Sequence, residues 1–468
     1  MADGEDREEP RRFGAVAGMA LTVGSAAVWG LAHLATGRRR MGWTLLTMQA
    51  SLVLIGLLAF IVGPNWLLGL VVRAGWLTGL TTVLLGLGVG WAALVIRSHL
   101  MVRPIRPGPV ARIAGNTLAA ALCVAVAAPM AYAARVASLS REVVESVFAQ
   151  DPPGWPKRPE DPWRNRSRVN ILLIGADAAP GRPGVRTDSM TVASIDPRTG
   201  RTVLFGLPRN LAHPPMPRGP ARERFPFGFT GDGPGSPGIL NGVYQYAEDH
   251  PETVPEADAG ERGPSLLKRT VGRILGLRVD HYVMVDMKGF AAIVDAIGGV
   301  TVTVRAPVVY GKYDEGHISP GTQRLSGAAA LWFGRSRTGG DDYIRMSRQK
   351  CLLNALARQA DPITVLHRFD RLAHATKRAV STDIPQSLLP DLIELADKVQ
   401  RARIESVQFV PPLIDPAAPD YPMIRRLVRD ALVKGSGERR RNRHEPGPQP
   451  SFGPSAGPRP VSLDDACH

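Results

Sequence analysis

Lysine is scarce in this chain: only 8 of its 57 cationic Lys and Arg residues are Lys, against 49 Arg, in 468 residues. High-GC coding produces that imbalance together with the heavy use of Ala, Gly and Pro. The formal net charge of +15 therefore does not by itself argue for a nucleic-acid partner. Cysteine is scarcer still at three residues, which excludes a disulfide-framework protein. Cys123 lies in an apolar run, leaving Cys351 and Cys467 for at most one bridge. No internal repeat with a period of roughly 20 to 50 residues is evident, so a solenoid is not expected. The basic segments contain no helix-turn-helix pattern.

Charge is also missing where apolar residues crowd. Four runs, 13–36, 41–62, 75–96 and 113–134, contain no Asp, Glu, Lys or Arg; one of them holds a single His33. Each is about 20 residues long, enough to cross a hydrocarbon core. Their repetition, with short loops between them, excludes one cleaved signal peptide and predicts a membrane domain of about four helices over 1–137. Arg38, Arg39 and Arg40 occupy the first loop and Arg97, Arg103, Arg106 and Arg112 the third, whereas the second offers only Arg73. Positive loops stay cytoplasmic, so everything after the fourth run is expected outside the membrane.

The outer part opens with a short helical stalk and the Pro-rich linker "DPPGWPKRPEDPWRNRS", together 138–167. "RVNILLIG" reads as a buried strand ending near Asp177, and "SMTVASI" with "RTVLFGL" as a hairpin across Asp196 to Gly200. Residues 213–238 are rich in Pro and Gly and read as either a substrate lid or a mobile loop. Helix and strand then alternate: helix 265–275, strand 279–285, helix 288–296 and strand 300–304. That alternation predicts a three-layer α/β domain over 168–434, finishing in a helical region from about 347 to 433. The tail 435–468 is disordered by composition.

Polar residues concentrate at predicted strand ends and in "FGRSRTGGDDYIRMSRQK". Read as a strand, "ALWFGRSR" puts Arg335 and Arg337 on one face. Read as a helix, "DDYIRMSRQK" puts Asp342, Arg345 and Gln349 on one face with Arg348 beside them. The two elements would meet at Gly339 and Gly340, so several guanidiniums converge and can grip phosphate oxygens bidentately. A solvated charged face explains the same run. "VRTDSM" adds Arg186 and Asp188, and "GLPRN" adds Arg209 at another strand end. Asp177 and Asp188 could share Mg2+, which is commonly held by one or two carboxylates while phosphates and water complete its shell. Each aspartate alone equally suits a turn or cap.

"NILLIGAD", "RTDSMTVASIDPRTG", "LPRN", "ILNGVYQYA", "GTQRLSGAAALWFGRSR" and "DDYIRMSRQK" resemble, in order and spacing, the LytR-CpsA-Psr family, over roughly 168–358. The resemblance implies an α/β/α sandwich of actinobacterial type that binds a polyprenyl pyrophosphate carrier with Mg2+ outside the membrane. It implies transfer of a cell-wall glycopolymer from that carrier to peptidoglycan. It further implies that Asp177 and Asp188 are the metal-linked aspartates. Arg186, Arg209, Arg335, Arg337, Arg345 and Gln349 would then be the pyrophosphate and site-organising groups, and Asp342 the acid preceding Arg345. Asp188 is the first candidate base and Asp342 the second. Two residues depart from the family pattern: Asn210 stands where an Asp usually follows Pro-Arg, and no basic residue precedes Asn241. A module that binds or hydrolyses the lipid pyrophosphate without transfer uses the same groups. A transcriptional regulator conflicts with the predicted topology, because a domain outside the membrane cannot reach a chromosome.

Overall fold

In this computed structural model, residues 13–62, 74–104, 108–151, 162–163, 166–177, 184–233, 236–311, 315–338, 342–359, 379–441, 461–462 and 467 are described. The loop with Arg73, most of the Pro-rich linker and the Gly339–Gly340 turn lie outside them. The chain divides into two compact units, Met1–Val144 and Glu145–His468.

Among the described residues of the first unit three helices are long and apolar enough to cross a membrane, at Arg39–Leu58, Gly75–Val102 and Pro109–Val147. The run 13–36, expected as a further span, is instead broken into helices Ala15–Ala27 and Leu31–Ala35. Gly30 makes the break, with φ at 88°. A Cβ there would lie 2.3 Å from the Gly42 carbonyl oxygen, so only glycine lets the two backbones approach. The 13-residue piece is about 20 Å long, short of a hydrocarbon core of about 30 Å. Polar groups fix the turn: the Ala32 N–H donates to Ser25 Oγ at 2.9 Å, and Gln49 bridges the Trp29 N–H and the Ala27 carbonyl.

The second unit is a mixed α/β domain around a seven-stranded sheet. Its strands run in chain order: β1 (Val169–Asp177), β2 (Arg186–Ile195), β3 (Thr202–Leu207), β4 (Gly231–Gly233), β5 (Ser236–Pro237), β6 (His281–Asp286), β7 (Val300–Val304), β8 (Val308–Tyr310), β9 (Gly316–Ile318), β10 (Gly321–Leu325), β11 (Val380–Thr382), β12 (Ile404–Gln408) and β13 (Val461–Ser462). The central sheet has the order β11-β6-β1-β2-β3-β12-β13. β2 and β3 form the expected hairpin, and β1 lies parallel to β6. Side chains alternate along β1. Leu172 and Ile174 enter one core with helices Gly242–Asp249, Arg262–Leu275 and Tyr421–Arg441, while Val169 and Ile171 enter another with Leu395 of helix Leu389–Arg401. A third core joins β7 and β10 to helices Met287–Ala296, Gly327–Arg335 and Asp342–Gln359.

Three expectations change. The stretch read as helical from 347 to 433 contains β11 and β12, short strands that composition alone does not separate from helix. The Pro/Gly-rich loop 213–238 is anchored at two of its aromatic residues, while Phe227 between them is exposed. Phe225 and Phe229 are buried and meet Tyr246 edge-to-face, with ring centroids 5.2 Å apart in each pair. The composition of the tail hid two attachments: β13 extends the sheet at β12, and Cys467 is disulfide-bonded to Cys351.

Candidate functional site

Asp177, Arg186, Asp188, Arg209, Arg335, Arg337, Arg345 and Gln349 all line one cleft of about 1490 Å³, open mouth included. Five elements deliver them. Asp177 ends β1, and Arg186 and Asp188 open β2. Arg209 follows β3, Arg335 closes helix Gly327–Arg335, and Arg345 and Gln349 lie on helix Asp342–Gln359.

A β-bulge aims the two aspartates. Gly175 pairs with Ser189 and Ala176 with Thr187, so Asp188 is the extra residue on β2. In a regular ladder Asp188 would face away from Asp177. The bulge turns it so that Asp188 and Ser189 both line the cleft, while Thr187 is buried.

Asp342 does not line the cleft; it organises the arginines that do. Its Oδ2 accepts from Arg345 Nη2 at 2.9 Å, and its Oδ1 lies 3.1 Å from Arg337 Nη2 and 3.8 Å from Arg209 Nε. The Arg337 approach is an ion pair without hydrogen-bond geometry, and Oδ1 is a buried oxygen with no hydrogen bond. Arg345 is 5% exposed and also donates to the Asp188 carbonyl at 3.1 Å. Burial pushes its guanidinium below the ordinary arginine value, and the adjacent Asp342 opposes that. Arg209 pairs with the Asp188 carboxylate. That contact answers the departure at Asn210: Asp188 and Asp342 orient Arg209 where a neighbouring carboxylate is lacking.

The expected strand across "ALWFGRSR" is a helix. Ser326 caps it by accepting from the Ala329 N–H, and Gly-Ala-Ala-Ala-Leu favours helix. Arg335 thus sits in a last helical turn and Arg337 in the loop beyond it. Arg348 donates to the carbonyls of Ser336 and Thr338 at 3.0 and 2.9 Å, holding that loop. Gln349 donates to the Gly334 carbonyl at 3.0 Å, so it fastens the two helices together beside the cleft. Sequence reasoning missed Trp332, whose ring lies 5.5 Å from the Arg335 guanidinium and stacks on Tyr310. Helical spacing, three residues before Arg335, was the signal.

The cleft has two kinds of wall. Asp177, Asp188, Asp286 and five guanidiniums line it together with apolar side chains that include Leu173, Val283, Val285, Met287, Phe290, Leu331, Leu352 and Leu353. Asp177 Oδ2 lies 3.5 Å from Arg335 Nη2, so each of the two expected metal aspartates faces a guanidinium. Among the described residues no three His, Cys, Asp or Glu side chains are grouped to hold a metal. Two carboxylates suit Mg2+ only as a partial set that phosphate oxygens and water complete.

Comparison with known proteins adds the remaining observations. A profile described as the LytR_cpsA_psr family matches residues 137–412. A protein of Oceanobacillus iheyensis named polyisoprenyl-teichoic acid–peptidoglycan teichoic acid transferase TagU is 28% identical over 235 residues, which cover 49% of this chain and 63% of that protein. A probable cell wall biosynthesis protein LcpB of Corynebacterium glutamicum is 31% identical over 223 residues, 44% of this chain and 45% of that protein. The chain thus spans about half the length of the curated relatives it matches. Among solved structures, B. subtilis TagV aligns with a TM-score of 0.40 and 24% identity, over 57% of this chain and 96% of that one. The profile match spans more than half of the 468 residues and includes every residue that the cleft gathers. The protein belongs to the LytR_cpsA_psr family.

Proposed function

We propose that the protein transfers a glycopolymer from a polyprenyl pyrophosphate carrier to peptidoglycan, outside the membrane, by phosphoryl transfer. The observation that carries this reading is that one cleft is lined by both five guanidiniums and many apolar side chains. A polyprenyl chain suits the apolar side chains, and its pyrophosphate suits the guanidiniums. The relative named a teichoic acid–peptidoglycan transferase supports the same class of donor and acceptor. The two cores on alternate side chains of β1 support the three-layer α/β/α sandwich.

In this reading Arg186, Arg209, Arg335, Arg337 and Arg345 orient the phosphate oxygens and neutralise charge that grows in the transition state. A peptidoglycan sugar hydroxyl, with muramic acid as the first candidate, attacks the phosphorus that carries the glycopolymer. A new P–O bond forms, the bond to the bridging oxygen breaks, and polyprenyl phosphate leaves with that electron pair. The hydroxyl proton passes to Asp188. Asp342 is the weaker candidate, because three guanidiniums surround it and it stands outside the cleft. Mg2+ held by Asp177 and Asp188 would supply further charge neutralisation on the phosphate oxygens.

Loop charge supports the location. The side reached after helix Pro109–Val147 depends only on the basic loop before it and one crossing, so it is the same for three spans or four. The test uses the full chain in lipid discs with a polyprenyl pyrophosphate glycan and peptidoglycan, with Mg2+ or chelator. Asp188→Asn is expected to lower transfer by about 100-fold or more. A near-normal rate in that variant would remove Asp188 as base and ligand. Free glycan phosphate without peptidoglycan linkage would favour hydrolysis instead.

A further inference from the structure

The membrane unit holds polar chemistry that anchoring does not require. Four polar side chains meet at one end of two apolar helices: His99 and Arg103 on or just beyond helix Ala74–Val102, and Arg112 and Asn116 on helix Pro109–Val147. Arg112 and Asn116 are spaced i, i+4 and share a helix face. All four line a small cavity of about 20 Å³, room for about one water molecule, so a larger group would sit at its mouth.

The cavity is built rather than incidental. His99 is 8% exposed, its Nδ1 lies 3.5 Å from Thr22 Oγ1, and its Nε2 lies 3.3 Å from Asn116 Oδ1. The Thr22 hydroxyl donates to the Gly18 carbonyl at 2.9 Å, which fixes its oxygen beside the ring. Three helices are thereby linked through one imidazole. Glycines make room for it: a Cβ on Gly18 would lie 2.7 Å from the Val102 oxygen, and one on Gly115 would lie 3.0 Å from His99 Cε1. Among the described residues no carboxylate lines the cavity, and neither Arg103 nor Arg112 is ion-paired.

We propose that this cavity binds the phosphate of an anionic lipid headgroup. Two guanidiniums that line it, Arg103 and Arg112, have no ion-pair partner among the described residues and can bind phosphate oxygens at its mouth, and the Asn116 amide adds a donor. Ala15 and Met19 line the same cavity and add apolar surface beside the arginines. Basic pockets between membrane helices recognise lipid headgroups by this combination. The lipid would sit in the leaflet that the basic loops face, and it would fasten the Ala15–Ala27 helix to the two long ones. The site uses none of the residues assigned to transfer.

The test is made on the full chain in discs of phosphatidylcholine alone, of phosphatidylcholine with phosphatidylglycerol, and of phosphatidylcholine with inorganic phosphate in the buffer. Lipid retained by the protein after extraction is counted by native mass spectrometry. Phosphatidylglycerol is expected to be retained by the wild type, and retention is expected to fall about 10-fold or more in an Arg103→Gln, Arg112→Gln variant. An Arg103→Lys, Arg112→Lys variant is expected to keep most of it, which separates lost charge from misfolding. Equal retention by the wild type and the Gln variant would overturn the proposal. Displacement of phosphatidylglycerol by millimolar inorganic phosphate would overturn the lipid assignment.

Discussion

Removing the Asp342 carboxylate is the sharpest perturbation of the guanidinium cluster. In an Asp342→Leu variant, Arg345, 5% exposed, keeps one acceptor in the cluster, the Asp188 carbonyl at 3.1 Å. A buried ion that loses its partner costs about 3 to 5 kcal/mol. The Arg337 side chain is 54% exposed and Arg209 Nε is 3.8 Å away, so those pairs add less than about 1 kcal/mol each. Partial exposure of Asp342 itself, at 17%, argues for the lower end, about 3 kcal/mol. For a unit of this size that lowers the thermal midpoint by about 4 to 6 °C. The assay is thermal unfolding of the full chain followed by tryptophan emission, with donor binding measured beside it. An Asp342→Leu, Arg345→Met double variant is expected to regain most of the stability, because an apolar pair replaces an ion pair at little cost. It is not expected to regain donor binding. A single-variant loss below about 1 kcal/mol, or a double variant no more stable than the single, would refute Asp342 as the organiser of the arginines.

Two further outcomes follow from contacts outside the cluster. Cys351→Ser and Cys467→Ser are each expected to cost about 2 to 4 kcal/mol, since the bond ties the tail to the helix that carries Arg345 and Gln349. Dithiothreitol should lower the wild-type thermal midpoint to that of the variants and leave the variants unchanged; a wild type indifferent to reductant would contradict the tether. Asp383 gives an acid-dependent signature. Burial alone would raise its carboxyl, but the neighbouring His281 ring, the Lys268 ammonium and the Tyr282 N–H outweigh it and hold the group below its ordinary value. A lowered carboxyl stabilises the fold fully above its unfolded value, near about pH 4, and that stability is lost as pH falls through the folded value. Asp383→Asn should therefore destabilise at pH 7, and denaturant unfolding should show the gap to wild type closing towards about pH 2; a gap that widens in acid would reverse the sign.

The sequence made some features legible because single local signals decide them. β1 is a short apolar run, the β2–β3 hairpin turns on Asp-Pro-Arg-Thr-Gly, and β7 alternates Val and Thr from Val300 to Val304. The site residues were legible as types because guanidiniums and carboxylates cluster at element ends. What periodicity could not supply was element type in short mixed stretches. "ALWFGRSR" carries aromatic and apolar residues that suit a strand, yet the Ser326 cap settles it as helix. Breaker-rich composition likewise concealed the buried Phe225 and Phe229, because proline and glycine fix backbone shape without saying which side chains that shape turns inward.

The decisive feature of the cleft was outside the reach of pattern reading altogether. Strict alternation on β2 would send Arg186 and Asp188 to one face and Asp177, paired with Thr187, to the other, and it would leave Asp188 without a fixed relation to Arg209. The extra residue at the bulge sets that relation, since it turns the Asp188 carboxylate towards Arg209 while its carbonyl takes the Arg345 hydrogen bond. One irregular residue thus connects both arginines, which arrive from separate elements after β3 and on helix Asp342–Gln359. With Asp188 supplying that pairing, the position after Arg209 is free of the duty to carry a charge, and Asn210 can stand there. The apparent defect in the motif and the bulge are therefore one arrangement: the carboxylate that orients Arg209 comes from the neighbouring strand instead of the neighbouring residue.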